Sequence, residues 1–213
     1  MSFIDRQNAG NRLADLLEKY RRDDVVVFAL PRGGVEVALP IALRLSAPLD
    51  LLLVRKIGAP HQPEVAMGAI VDGDHPAIVR NEDVVRYAGV SETTFQELAD
   101  QALKEIERRR HLYLAGRSPA PVAGKTAIVV DDGVATGATL KAALMGLKAS
   151  KPARIVVAMP VAPVGFSAEL QSDVDEFICL EELCPVGAVG AHYAHFDQLS
   201  DADVIRLLEA AKR

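Results

Sequence analysis

The chain has 213 residues, half of them apolar and a quarter charged, with a net charge of −5 and a pI near 5.6. That is enough apolar material for a substantial core, and the acidic balance gives no electrostatic footprint for nucleic acid. Residues 1–10 carry no apolar leader core and no run approaches 18 apolar residues, so neither export nor a membrane helix is expected. Cys179 and Cys184 lack a metal-type spacing and read as reduced thiols of a cytoplasmic protein.

In chain order, a helix is expected near 8–20. An apolar strand from Val25 to Leu30 then stops at Pro31-Arg32-Gly33-Gly34 and gives way to a helical pattern in Val35, Val37, Ala38, Ile41, Ala42 and Leu45. Such a turn either brings backbone amides to an anion or is a plain tight turn. A third apolar strand, Leu49 to Val54, ends in Arg55-Lys56, cations that would point to a ligand edge. The stretch 57–64, with Gly58, Pro60 and Pro63, is expected to be irregular, and His61 and Glu64 fit a solvated loop. Met67–Val71 and Ala77–Val79 flank Asp72-Gly73-Asp74 and predict a hairpin.

A long helix follows from Ser91 to about Leu114, its core stripe being Phe95, Leu98, Ala102, Ile106 and Tyr113. Arg108-Arg109-Arg110 then falls on or beside a solvated face, and an oligomer contact is favoured over RNA. The Pro-rich link Ser118-Pro119-Ala120-Pro121 leads to residues 126–140, where chemistry is most legible. Ala127, Ile128, Val129 and Val130 do not alternate with polar residues, as expected of a central parallel strand, so Asp131 and Asp132 stand at its carboxyl end, where open α/β sheets put ligands. The small-residue loop from Gly133 to Thr139 lets amides approach an anion, and a helix from about Gly137 to Ala149 adds its positive end. Carboxylates beside an anion cradle suit a sugar: acids for a cis-diol, amides for a phosphate.

Further elements are a strand from Arg154 to Met159, a helix near 166–170, a strand from Glu176 to Leu180 and a last helix from Asp201 to Ala211. Residues 181–199, with His192, Tyr193, His195 and Phe196, fit no βα unit. The alternation implies an α/β fold, a mainly parallel twisted sheet with helices on both faces.

Two rival motifs fail on spacing. A dehalogenase-type phosphatase needs its two acids two residues apart, and here they are adjacent. A nucleotide P-loop is hinted at by Gly124-Lys125-Thr126, but Pro119 stands where its first Gly belongs and the triplet precedes a strand. A solvated turn capping a helix is the bland alternative.

Hydrophobic strand, Asp131-Asp132, two residues, then Ala135-Thr136-Gly137-x-Thr139 resembles the phosphoribosyl-pyrophosphate (PRPP) motif of type I phosphoribosyltransferases. The resemblance implies that Asp131 and Asp132 contact the ribose hydroxyls. Gly133 and Val134 complete the substrate loop, and Ala135, Thr136, Gly137, Ala138 and Thr139 wrap the 5-phosphate. Pro31-Arg32-Gly33-Gly34 resembles the family's pyrophosphate loop, often built on a cis peptide, for which Pro31–Arg32 is the candidate bond. Arg55-Lys56 resembles the basic pair before a mobile loop in some members, orotate phosphoribosyltransferases included. Ala135 stands where 6-oxopurine enzymes usually carry an acid, which brings the stretch closer to the adenine and orotate types without naming an acceptor. The match is nearly full length to a bacterial group of predicted phosphoribosyltransferases, carried by 29–34, 54–56 and 130–139.

By that resemblance the whole chain, 1–213, is one phosphoribosyltransferase-like domain with a core of about 22–180. A hairpin and mobile-loop insertion joins it, and a small hood comes from 181–199 with the N-terminal segment 3–10. The hood would cover the acceptor, and its aromatic residues either stack on a flat heterocycle or, the commoner fate, are satisfied within the core. The implied activity is magnesium-dependent displacement at C1 of PRPP by a nitrogenous acceptor, releasing pyrophosphate. The metal would be held mainly by PRPP and pyrophosphate oxygens. Asp131, Asp132, Arg32 and Lys56 would be catalytic, and Arg32, Gly33, Gly34, Arg55 and Lys56 would hold the leaving group. The expected partners are PRPP, a small acceptor and a second copy in a homodimer, with no nucleic acid or membrane. The alternative is a non-enzymatic regulator that binds PRPP or a nucleotide.

Overall fold

The structure, a computed structural model, describes residues 2–72, 77–115, 118–183 and 188–211, with the backbone but not the side chains of 63, 64 and 77. The first elements are α1 (Arg6–Leu17), β1 (Val25–Ala29), α2 (Gly33–Leu45), β2 (Leu49–Leu51), β3 (Val54–Ala59), β4 (Gln62–Val71) and β5 (Ala77–Arg80). Then come α3 (Glu82–Tyr87), α4 (Glu92–Leu114), β6 (Thr126–Val130), α5 (Ala138–Ala149), β7 (Arg154–Pro163), α6 (Phe166–Leu170), β8 (Glu176–Leu183) and α7 (Asp201–Ala210). The chain folds as two compact units: Met1–Leu51, Ala120–Gly137 and Lys151–Arg213 form one, Leu52–Pro119 and Ala138–Ser150 the other.

The first unit is built on a five-stranded sheet in the order β2-β1-β6-β7-β8 with every neighbouring pair parallel. Every residue of β1 and β6 is buried, which is why these two segments read as unbroken apolar runs. α1 starts on Asp5, whose carboxylate accepts the Asn8 amide at 2.7 Å, and buries Arg6, Ala9, Gly10, Leu13, Ala14 and Leu17 along one stripe. A Cβ at Gly10 would strike the Val37 carbonyl and Pro40, so the missing side chain is what allows α1 to lie tightly on α2. Asp50, buried in β2, accepts the Leu51 and Ala120 amides at 2.8 and 2.6 Å and fixes where the chain re-enters this unit. α7 opens with a capping box between Ser200 and Asp203.

The second unit holds a three-stranded antiparallel sheet, β3-β4-β5, with α3, α4 and α5. The expected hairpin is β4–β5, while Gly73 and Asp74 of its turn lie outside the described residues. Gly146 of α5 leaves room for the Val71 side chain. Arg110 holds Asp72 at 2.6 Å, and Arg108 and Arg109 each reach Glu105 at 2.8 Å, so each arginine of the triplet holds an acid of its own unit.

Three expectations are corrected. The third strand does not run from 49 to 54: β2 stops at Leu51, and Leu52 and Leu53 are buried linkers before β3. Arg55 and Lys56 therefore lie inside an edge strand, paired with Ile70 and Ala69, and not at a strand's end. The stretch 57–64 is not irregular but a hairpin turning at Pro60 and His61. Gly58 is absorbed by register shifts on either side of it, and Pro63 falls near the start of β4, a strand position where proline is tolerated. β7 and β8 run on to Pro163 and Leu183, several residues beyond their expected ends.

Candidate functional site

The strand order reverses direction between β1 and β6, the switch point at which an open parallel sheet leaves a crevice at its carboxyl edge. The two strands end level there. Ala29 and Val130 are register partners, and the Leu30 amide donates to the Val130 carbonyl at 2.9 Å. The two loops that the sequence singles out, 31–34 and 131–137, are thus brought side by side.

The first loop contains a cis peptide at Pro31–Arg32, the bond nominated from the sequence. The Gly34 amide closes back on Leu30 at 3.1 Å. Its glycines have a steric reason. A Cβ on Gly34 would come within 2.7 Å of the Val130 carbonyl and 2.9 Å of Asp131 Cα, and one on Gly33 would fall on the Asp132 carboxylate. The Arg32 side chain is half-exposed and leans toward Asp201 at 4.0 Å.

In the second loop, Asp131 accepts the Asp132 amide through Oδ1 at 2.8 Å. Asp132 is held by two hydrogen bonds. Arg6 donates Nε to its Oδ2 at 2.8 Å and Tyr193 donates its hydroxyl to its backbone carbonyl at 2.6 Å, while Gly33 leaves the space its carboxylate occupies. The Val134 amide donates to Val161 at 3.0 Å, tying the loop to the extension of β7. Gly137, at φ +72°, is a left-handed position over which the Phe166 ring packs, so a side chain there meets both strain and a collision. The next residue begins α5, whose first amides have no partner within the helix.

Electrostatically the site is a compressed set of carboxylates around one cation. Burial, and then the charge of Asp132, pushes the Asp131 carboxyl well above the usual range, while the Asp132 amide and Arg6 pull the other way. Glu36, in the first turn of α2 and 3.9 Å from Arg6, is raised chiefly by burial, with Arg6 again opposing. The Tyr193 hydroxyl is raised by burial and by Asp132, so it stays protonated and keeps donating.

Sequence reasoning missed Arg6, which is 6% exposed. Its signal was available: it falls on the otherwise apolar stripe of α1, where a charged side chain needs a buried partner. Residues 181–199 and the N-terminal segment do meet. Ser2 and Phe3 donate to the His192 carbonyl, Ala194 donates to Phe3, and His195 donates to Ile4. Tyr193 stacks between Phe3 and Phe196, with ring centroids 5.3 and 4.9 Å away. The aromatic residues proposed for base stacking are therefore partnered within the protein. Cys179 donates its thiol to the Glu181 carbonyl, and Cys184 lies outside the described residues. No group of three or more His, Cys, Asp or Glu arranged for a metal occurs among the described residues. Arg55 and Lys56 are exposed in the second unit, as is His61, and the Glu64 side chain lies outside the described residues.

A family model for the phosphoribosyl transferase domain matches residues 4–190. The chain belongs to the phosphoribosyl transferase family. Two Mycobacterium tuberculosis proteins, from two strains and with provisional phosphoribosyl transferase names, are 42% identical over 211 residues, 99% of this chain. The chain spans about half their length, 47%. A crystal structure of a Thermus thermophilus protein superposes with a TM-score of 0.85 at 38% identity, covering 98% of each chain. In this phosphoribosyl transferase chain no helix among the described residues is long and apolar enough to cross a membrane.

Proposed function

We propose that this protein is a magnesium-dependent phosphoribosyltransferase that uses PRPP as donor and a nitrogenous acceptor, releasing pyrophosphate. The observation that carries the reading is the pair Asp131-Asp132 at the switch point, each acid pinned through one carboxylate oxygen with the other left to accept from a sugar hydroxyl. Two adjacent hydroxyls on a ribose match two adjacent fixed acceptors.

In the reaction the acceptor nitrogen's lone pair forms a bond to C1 as the C1–O bond to pyrophosphate breaks, and the leaving group departs with that electron pair. The nitrogen's proton passes to solvent or to a base. Asp131 and Asp132 hold the ribose as positive charge develops at C1, and the loop from Ala135 to Thr139 holds the 5-phosphate by its amides. The amides of Arg32 and Gly33, with the side chains of Arg32, Arg55 and Lys56, take the charge of the leaving pyrophosphate. A magnesium ion bound with the substrate would neutralise pyrophosphate oxygens. Magnesium favours phosphate and water oxygens, so on this reading the ligand itself would carry most of the metal's coordination. One domain with a hood from 3–10 and 181–199, acting as a homodimer in the cytoplasm, completes the proposal.

The test is incubation with magnesium and PRPP across a panel of heterocyclic bases, reading pyrophosphate release. Release with one base establishes the reaction. PRPP binding without release for any base makes the protein a PRPP-binding regulator. Absence of any thermal stabilisation by PRPP overturns the donor assignment.

A further inference from the structure

The Arg6 guanidinium lies beneath the acid pair. Its Nε reaches Asp132 Oδ2 at 2.8 Å, its NH1 reaches the Asp197 carbonyl at 2.9 Å, and its face covers the Phe196 ring at 3.9 Å. The Cβ that Gly33 lacks would also sit 3.1 Å from this Nε, so loop and arginine are fitted to each other. Arg6 is the cation that faces Asp131 and Asp132 after β6 and Glu36 from α2, with Asp5 at the cap of α1 and Asp203 of α7 as further acids around Glu36. Burying a guanidinium costs its hydration, which a structural tie to Asp197 alone does not repay.

Resting on the PRPP reading above, we propose that Arg6 is a positioning residue for ribose recognition: by pinning Oδ2 of Asp132 it presents Oδ1 to the sugar diol and couples that acid to the 193–197 segment. Arg6 touches neither donor nor acceptor. It acts through Asp132. A fixed acceptor accepts from a hydroxyl without first losing side-chain freedom, and the planar fork of arginine suits that clamp better than a point-charge ammonium.

The experiment is calorimetric titration of the wild-type chain, Arg6→Ala and Arg6→Lys with ribose 5-phosphate, 2-deoxyribose 5-phosphate and magnesium pyrophosphate, each variant first checked by circular dichroism. The wild type should prefer ribose over deoxyribose by about tenfold, the value of one hydrogen bond to a charged group. Arg6→Ala should lose about tenfold for ribose 5-phosphate, bring the preference close to one, and leave pyrophosphate within about twofold. Arg6→Lys should fall between. An equal loss for all three ligands means a general structural role and overturns the proposal, as does an unchanged ribose preference. If Arg6→Ala does not fold, Arg6→Lys decides: a selective loss of ribose preference supports the proposal, and a parallel loss or none overturns it. If the wild type binds neither ribose 5-phosphate nor PRPP, the donor reading itself fails. A wild type that binds with preference, alongside variants that do the same, sinks only the role of Arg6.

Discussion

The acids at the end of β6 and the cations within β3 are both expected to meet the donor, yet they are built in opposite ways. Asp132 is clamped by a buried arginine, a tyrosine hydroxyl and a glycine with no room to spare, whereas Arg55 and Lys56 stand exposed on an edge strand. On the proposed reading, the contrast separates two tasks. Reading a diol demands fixed acceptors, because a displaced hydrogen bond is lost. Neutralising a flexible polyanion demands charge rather than a fixed acceptor, and exposed side chains supply it at little cost in stability.

The most severe way to break this contrast is to remove both acid charges. Asp131→Asn with Asp132→Asn should weaken PRPP binding by about 100-fold, since bonds to a charged acceptor contribute about 1.5–3 kcal/mol each. Unchanged affinity by calorimetry would show that the acids are not the sugar readers. Next comes Gly33→Ala, whose methyl group must displace the Asp132 carboxylate. Overpacking of this kind costs about 1–3 kcal/mol, and PRPP affinity should fall with it. A fully stable Gly33→Ala chain in urea unfolding would mean that the loop yields where it is described as tight.

Asp131 sharpens the comparison through pH. Its folded-state pKa is raised, so the folded chain resists ionisation of this acid while the unfolded chain does not. Below the ordinary aspartate pKa, near 3.9, both states are protonated and the acid carries no penalty. As pH climbs from there through the raised folded-state value, the penalty grows and then levels off. Asp131→Asn should therefore melt a few degrees higher than wild type at pH 7, and the gain should shrink to nothing below about pH 4. A variant that melts lower at pH 7 would mean that the carboxylate stabilises the fold. Last in size, Arg55→Ala and Lys56→Ala should alter stability by less than about 0.5 kcal/mol. They should weaken PRPP binding by only a few fold and flatten its dependence on salt, the mark of screened surface charge. A loss matching that of the acid pair would erase the distinction between buried, clamped groups and exposed ones.

The parts of the site that sequence reveals are the parts whose reasons are local. β1 and β6 are legible because a strand buried on both faces cannot hide its apolar run, and the loops after them because glycines and acids break that run abruptly. The β2–β3 boundary leaves no such mark. Leu52 and Leu53 are as buried as the strand before them, so nothing polar records the chain's departure from one sheet for another. Arg55 and Lys56 then look like the end of a strand they never belong to. Arg6 is harder still, since its partner is 126 residues away and only its place on an apolar stripe betrays that it needs one. Tyr193 and Phe196 are visible as aromatic residues, but their ring partners depend on a pairing of Phe3 with Tyr193 that no local pattern encodes.

The Arg6 bonds to Asp132 and to Asp197 close sequence separations of 126 and 191 residues. Contacts of that span carry the largest closure entropy, so they add to the chain's contact order and cannot be made by a folded fragment. Until α1 docks, the two adjacent acids lack the Arg6 guanidinium. On the proposed reading, competence to read a sugar is withheld until Arg6 has met Asp132 and Asp197, and affinity for ribose becomes a report on that closure.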